Sequence, residues 1–131
     1  MKKYLVAVDD EEDLKFLFEH FFEDVIEDGL LEVIFLHTGQ DCLDKMKELD
    51  GEVIVLSDIN MPKMNGIELL RRLSQTYPEI RVLLVSAYDE SKFSDAMSQW
   101  GAEGYITKPI DFNELRNRVF SMFNLEVTSS I

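Results

Sequence analysis

Five short apolar runs alternate with five amphipathic stretches along this chain, and that alternation restricts the fold more than any other feature. The runs are Tyr4–Val8, Leu31–Leu36, Val53–Leu56, Val82–Val85 and, with its neighbours, Tyr105–Ile106. Several are almost unbroken Val, Leu and Ile, the composition of strands covered on both faces. The last is too short to assign on its own. Between and after them, apolar residues recur at steps of three and four, the spacing of one helix face. Leu14, Leu17, Phe18, Phe21, Phe22 and Val25 make the first such stripe. Leu43, Met46 and Leu49 make the second, and Leu69, Leu70 and Leu73 the third. Phe93, Ala96, Met97 and Trp100 follow, with Gly101 as a stop. Phe112, Leu115, Val119 and Met122 close the series, with Asp111 as a cap.

Strands this close in sequence, joined by helices, pair in parallel through right-handed crossovers. The expected fold is α/β: an open parallel sheet with helices on both faces. A length of 131 residues suits one such domain and leaves little for a second. A 46 % hydrophobic content supports a buried core and argues against disorder. The net charge of −13 argues against direct nucleic-acid binding, which needs a basic face, and permits cation binding where carboxylates converge. Cys42 is the single cysteine, so an internal disulfide or a cysteine metal cluster is excluded. We read no secretory leader in the N-terminal sequence and no apolar run of membrane-spanning length, so the expected location is the cytoplasm.

In sheets of this kind ligands bind beyond the carboxyl ends of the strands. The first strand runs into Asp9, Asp10, Glu11 and Glu12; the third ends at Ser57-Asp58, the fourth at Ser86-Ala87, the fifth at Thr107-Lys108-Pro109. Carboxylates, a hydroxyl and an ammonium thus converge on one edge. Asp9 or Asp10 with Asp58 makes a set of hard oxygen ligands suited to Mg²⁺. A divalent ion beside such groups organises an incoming phosphoryl group, and a carboxylate can serve as its acceptor. Asp58 is the best placed, because a short proline-constrained loop follows it. Each group has a plainer reading alone. The first acids can cap a helix, Asp58 can be a turn residue, Lys108 a solvated lysine and Ser86 a polar strand end. Their joint placement at four strand ends carries the argument.

These residues resemble the receiver domains of two-component response regulators. Val8-Asp9-Asp10-Glu11 is similar to the family's acidic pocket. Asp58-Ile59-Asn60-Met61-Pro62-Lys63-Met64-Asn65-Gly66 matches its phosphoacceptor segment, Asp-x-x-Met-Pro-x-Met-x-Gly, at every specified position. Ser86-Ala87 resembles the switch hydroxyl and its small neighbour, and Gly101-Ala102, Tyr105 and Lys108-Pro109 the closing motif. The similarity runs from about Lys3 to Asn124.

The resemblance implies a flavodoxin-like (βα)5 doubly wound sheet of strand order 2-1-3-4-5. It implies a receiver domain over 1–124, followed at 125–131 by a tail or the start of a linker. Asp58 would accept a phosphoryl group from a histidine kinase or histidine phosphotransfer protein. Asp9 or Asp10, Asp58 and the backbone carbonyl of Asn60 would bind Mg²⁺, the second acid of the pair usually ligating directly. Lys108 would contact the phosphoryl oxygens, and Ser86 would bond to them after transfer. Tyr105 would report the switch by its rotamer, and Lys108-Pro109 would be cis. Asn60 and Tyr88 occupy positions that tune phosphoryl lifetime in the family. The surface of the fourth helix, fifth strand and fifth helix would then change for a downstream protein partner, an output domain on a longer chain, or a phosphorylation-dependent dimer. No membrane partner is implied, nor any catalysis beyond the protein's own phosphorylation and dephosphorylation.

Three other functions fit the residues less well. A constitutive interaction module would be expected to have lost an acid or the lysine. A phosphohydrolase acting on an external substrate needs a cap or pocket that 131 residues barely allow. A flavin-binding protein needs a hydroxyl- and glycine-rich phosphate loop where four acids stand. After Asn124 the remaining residues are too few for a helix-turn-helix or catalytic output domain, leaving a stand-alone receiver or one excised from a longer chain. His20, His37 and Cys42 read as structural, and the aromatic stripe of the first helix as core. Phe120 and Phe123 lie off the main stripe of the last helix and are candidates for a partner or dimer contact.

Overall fold

The computed structural model describes residues 1–125. Five parallel strands lie in the order β2-β1-β3-β4-β5. They are β1 (Lys3–Val8), β2 (Glu32–Leu36), β3 (Glu52–Asp58), β4 (Arg81–Ser86) and β5 (Gly104–Thr107). The helices are α1 (Leu14–Phe21), α2 (Glu23–Glu27), α3 (Gly39–Met46), α4 (Gly66–Thr76), α5 (Ser94–Trp100) and α6 (Phe112–Met122), with a 3₁₀ turn over Glu90–Phe93. This is the flavodoxin-like order expected from the resemblance. The tail expected at 125–131 lies, apart from Leu125, outside the described residues.

Alternate residues of the central strands point to opposite faces, and each face has its own core. Val6, Val8, Val53, Val55, Val82 and Leu84 pack with Leu69, Leu70 and Leu73 of α4 and Met46 of α3. Leu5, Ala7, Ile54, Leu56, Leu83 and Val85 pack against Phe18 of α1 and Leu115 and Val119 of α6. The near-continuous apolar runs thus reflect burial on both sides.

Four details depart from the sequence expectation. Four strands begin on charged residues, Lys3, Glu32, Glu52 and Arg81, because a backbone ladder needs no apolar side chain at its terminus. The first amphipathic stretch is two helices, broken at Phe22, whose backbone leaves the helical region at φ −115°, ψ 10°. The aromatic residues of its stripe are core, with Phe18 and Phe22 buried and Phe21 packed against them, but Leu17 of the same stripe is 42 % exposed. Phe120 and Phe123 are buried and offer no partner contact. Phe120 packs on Phe22 with ring centres 6.4 Å apart, and Phe123 lies under the Arg81 guanidinium. The physical reason is that α6 meets both the sheet and the α1–α2 pair, so its buried face is wider than one stripe.

Asn65 and Asp111 cap α4 and α6 by accepting backbone N–H bonds with their side chains. Gly101 ends α5 in the left-handed conformation, at φ 76°. Cys42 is buried in α3, where burial pushes its thiol up to about 12. Among the described residues no helix is long and apolar enough to cross a membrane.

Candidate functional site

The strand order brings β1, β3, β4 and β5 to one carboxyl edge, and the polar residues that end them meet there. Asp9 follows β1 directly; its N–H donates to the Leu36 carbonyl, and its Oδ1 accepts from the Glu11 N–H at 2.9 Å. Asp58 is the last residue of β3, and its Oδ1 accepts the Asn60 N–H at 3.2 Å. The chain then turns back at once. The Ile59 N–H donates to the Val85 carbonyl and the Gly66 N–H to the Ile59 carbonyl, both at 2.9 Å. Gly66 is required there: a Cβ would lie 2.5 Å from the Asp58 carbonyl oxygen and 2.8 Å from the Ile59 Cα. The first turn of α4 is thereby pressed onto the segment that carries Asp58.

Lys108 reaches in from the end of β5. Its backbone N–H is fixed to the Ser86 carbonyl at 2.8 Å, and its peptide bond to Pro109 is cis, as the resemblance implied. Its Nζ stands 3.2 Å from Asp9 Oδ2 and 3.2 Å from Asp58 Oδ2. Burial alone would lower this ammonium's pKa, but the two carboxylates outweigh it and hold Lys108 above its ordinary value. Asp9 and Asp58 are each only 5 % exposed. Burial pushes Asp9 above the usual carboxylate value and the nearby Asp58 charge adds to this, against the Glu11 N–H and Lys108.

Carboxylate oxygens of Asp9, Asp10 and Asp58 all lie within 4.8 Å of one another, with Asp10 on the exposed side. Three hard oxygen donors, two of them buried beside a single ammonium, form a donor set that fits Mg²⁺. Ser86 is fully buried at the end of β4. Its Oγ accepts from the Tyr88 N–H at 3.2 Å and from the Asn60 side-chain amide at 3.5 Å. The Tyr105 hydroxyl donates to the Tyr88 carbonyl at 2.6 Å, and its ring stacks on Phe93. One residue's backbone therefore connects Ser86 to Tyr105.

Asp9, Asp10, Asp58, Asn60, Ser86 and Lys108 lie in this constellation, and Tyr105 lies one residue's backbone away. Asn60 and Tyr88, expected to border the site, both do so: the Asn60 side-chain amide and the Tyr88 N–H meet at Ser86 Oγ. His37, read as structural, stands at the rim with Nδ1 3.4 Å from the Asp9 carbonyl oxygen.

The model of the response regulator receiver domain matches residues 5–120. This chain belongs to that family. The receiver domain is 35 % identical over 96 residues to the response regulator GacA of Pseudomonas aeruginosa, which covers 73 % of this chain and 44 % of GacA. It spans under half the length of the curated relatives it matches. Among solved structures it is similar to a CheY-like receiver domain from Methanospirillum hungatei, with TM-score 0.81, 25 % identity and 95 % of each chain covered. It is similar also to the BeF3-activated receiver domain of Thermotoga maritima DrrB, with TM-score 0.78, 25 % identity, and 95 % and 99 % covered. Receiver domains bind Mg²⁺ at an acidic cluster and interact with histidine kinases and output domains; they are signalling switches rather than classical enzymes.

Proposed function

We propose that this receiver domain is a phosphorylation-activated switch in which Asp58 accepts a phosphoryl group from a phosphohistidine donor. The observation that carries this reading is the position of Lys108 Nζ, 3.2 Å from both Asp58 and Asp9, with Ser86 Oγ on the neighbouring strand end. An Asp58 carboxylate oxygen forms the bond to phosphorus as the phosphorus–nitrogen bond breaks, and the electron pair leaves on the histidine ring. Asp9, Asp10, Asp58 and the Asn60 carbonyl would hold Mg²⁺, which neutralises phosphoryl oxygens when bound. Lys108 supplies a second positive charge to those oxygens. Ser86 exchanges its present partners, the Tyr88 N–H and the Asn60 amide, for a phosphoryl oxygen.

Phosphorylation adds about −1.5 to −2 charges at one point. Movement of Ser86 releases the Tyr88 backbone, to which the Tyr105 hydroxyl is bonded, so the charge is felt on the face of α5, β5 and α6. Driving such a switch from 1:99 to 99:1 takes about 5.5 kcal/mol. Two or three charge-assisted hydrogen bonds at about 1.5–3 kcal/mol each supply that. The receiver unit in this reading is residues 1–124, in the cytoplasm.

The donor must reach Asp58 at the same edge. An apolar groove of about 470 Å³, lined by Leu14, Leu17, Pro109, Ile110 and Phe112, lies beside Lys108 and suits a helix bearing the donor histidine. Beryllium fluoride with Mg²⁺, a phosphoryl analogue, tests the switch. Amide signals of Ser86, Tyr88 and Tyr105 should shift together in the wild type and stay in place in Asp58→Asn. Shifts of equal size in the variant would refute the proposal.

A further inference from the structure

Arg118 is the one arginine, among the described residues, without a hydrogen-bond partner. Arg71 and Arg72 bond to Glu68, Arg81 to the Met122 carbonyl and Arg116 to Asp24. Arg118 instead lies half-buried across Gly104 of β5, its guanidinium standing where a side chain at that position would begin. Glu114, one turn earlier on α6 and in the favourable order for an i,i+4 pair, makes no ion pair with it within 4.0 Å.

The guanidinium divides the face of α5, β5 and α6 into two grooves. The one toward α5, of about 490 Å³, has Glu90 and Glu103 in its wall. The one toward α6, of about 290 Å³, has Asp111 and Glu114. Arg118 lines both. A planar five-donor group without an acceptor, between two pairs of carboxylates, sets a charge pattern of negative, positive, negative.

We infer that this face takes an extended segment of a partner protein in the order basic–acidic–basic, its carboxylate on Arg118 and its cationic side chains in the two grooves. Alternate side chains of an extended segment point the same way, roughly 7 Å apart, so one segment can present an acid flanked by two bases to a single face. A carboxylate meets a guanidinium with two parallel bonds, the strongest arrangement open to Arg118. A second copy of this chain is the poorer occupant, because it brings the same four carboxylates and a net charge of −13 against their like. The inference rests on reading this face as the output surface and adds the chemistry of what binds there.

The test uses the full 131-residue chain, with and without beryllium fluoride, and the capped peptide Gly-Lys-Thr-Glu-Thr-Lys-Gly followed by amide chemical shifts. Saturable shifts at Gly104, Tyr105 and Arg118 are expected. Replacing the peptide's glutamate by glutamine, or Arg118→Gln in the protein, should each weaken binding about tenfold, or about 1.4 kcal/mol. Equal binding by the glutamine peptide overturns the inference without depending on any variant's folding. Equal binding by Arg118→Gln overturns it too, as does a peptide-free dimer in sedimentation that Arg118→Glu dissolves. Phosphoryl uptake by the same samples separates the two readings. Uptake without peptide binding sinks this inference alone, and binding without uptake sinks only the switch.

Discussion

Lys108 is the residue on which the site's electrostatics turn. Its ammonium is shared between two carboxylates that burial would otherwise leave in mutual repulsion. Lys108→Met should therefore destabilise the metal-free protein by about 1–3 kcal/mol in urea, the cost of leaving its carboxylate partners unsatisfied, and Mg²⁺ should narrow the difference by supplying the missing positive charge. Asp9 shows the opposite imbalance. Its folded-state pKa is raised above the ordinary 3.8, chiefly by burial, so folding and proton binding at Asp9 favour one another. The associated stability is present below that ordinary value and is lost as pH rises through the raised one. Asp9→Asn should then be more stable than wild type in EDTA at neutral pH, and urea midpoints of the two should converge in acid. Cys42, pushed up to about 12, should resist thiol reagents in the native protein and react at once on unfolding.

At the scale of elements, one junction positions the site and a second locks α6 onto the α1–α2 pair. The first is the pressing of α4 onto the end of β3 at Gly66. Gly66→Ala forces the backbone of Asp58 and Ile59 to move, at a cost of about 1–3 kcal/mol by overpacking, and should slow phosphoryl uptake as well as lower the melting temperature. The second is the break between α1 and α2. Arg116 donates to the Phe21 carbonyl at 2.7 Å and grips both Asp24 oxygens, which holds α6 against the break. Strands, helices and strand ends were legible in the sequence because burial on both faces writes itself as unbroken Val, Leu and Ile. The break at Phe22 was not, since the three-and-four spacing continues through it. Phe120 and Phe123 misled because helical spacing reports one buried stripe, whereas α6 has two neighbours. Arg118 over Gly104 left no signal, because that contact arises from tertiary approach rather than spacing.

Over the whole molecule, topology assembles the chemistry. Asp9, Asp58, Ser86 and Lys108 are brought within reach only because β1, β3, β4 and β5 run parallel and adjacent in the sheet. The same assembly brings the oxygen donors together in the folded state alone, so under the proposed function Mg²⁺ should stabilise folding by mass action. At one hundred times its dissociation constant the gain is about 2.7 kcal/mol, and Asp58→Asn should reduce it. The most direct measurement is intact mass after incubation with Mg²⁺ and a small acyl phosphate, on wild type and Asp58→Asn side by side. The account predicts one added phosphoryl group on the wild type and none on the variant. Equal uptake by both, or no uptake by a folded wild-type protein that binds Mg²⁺, would contradict it.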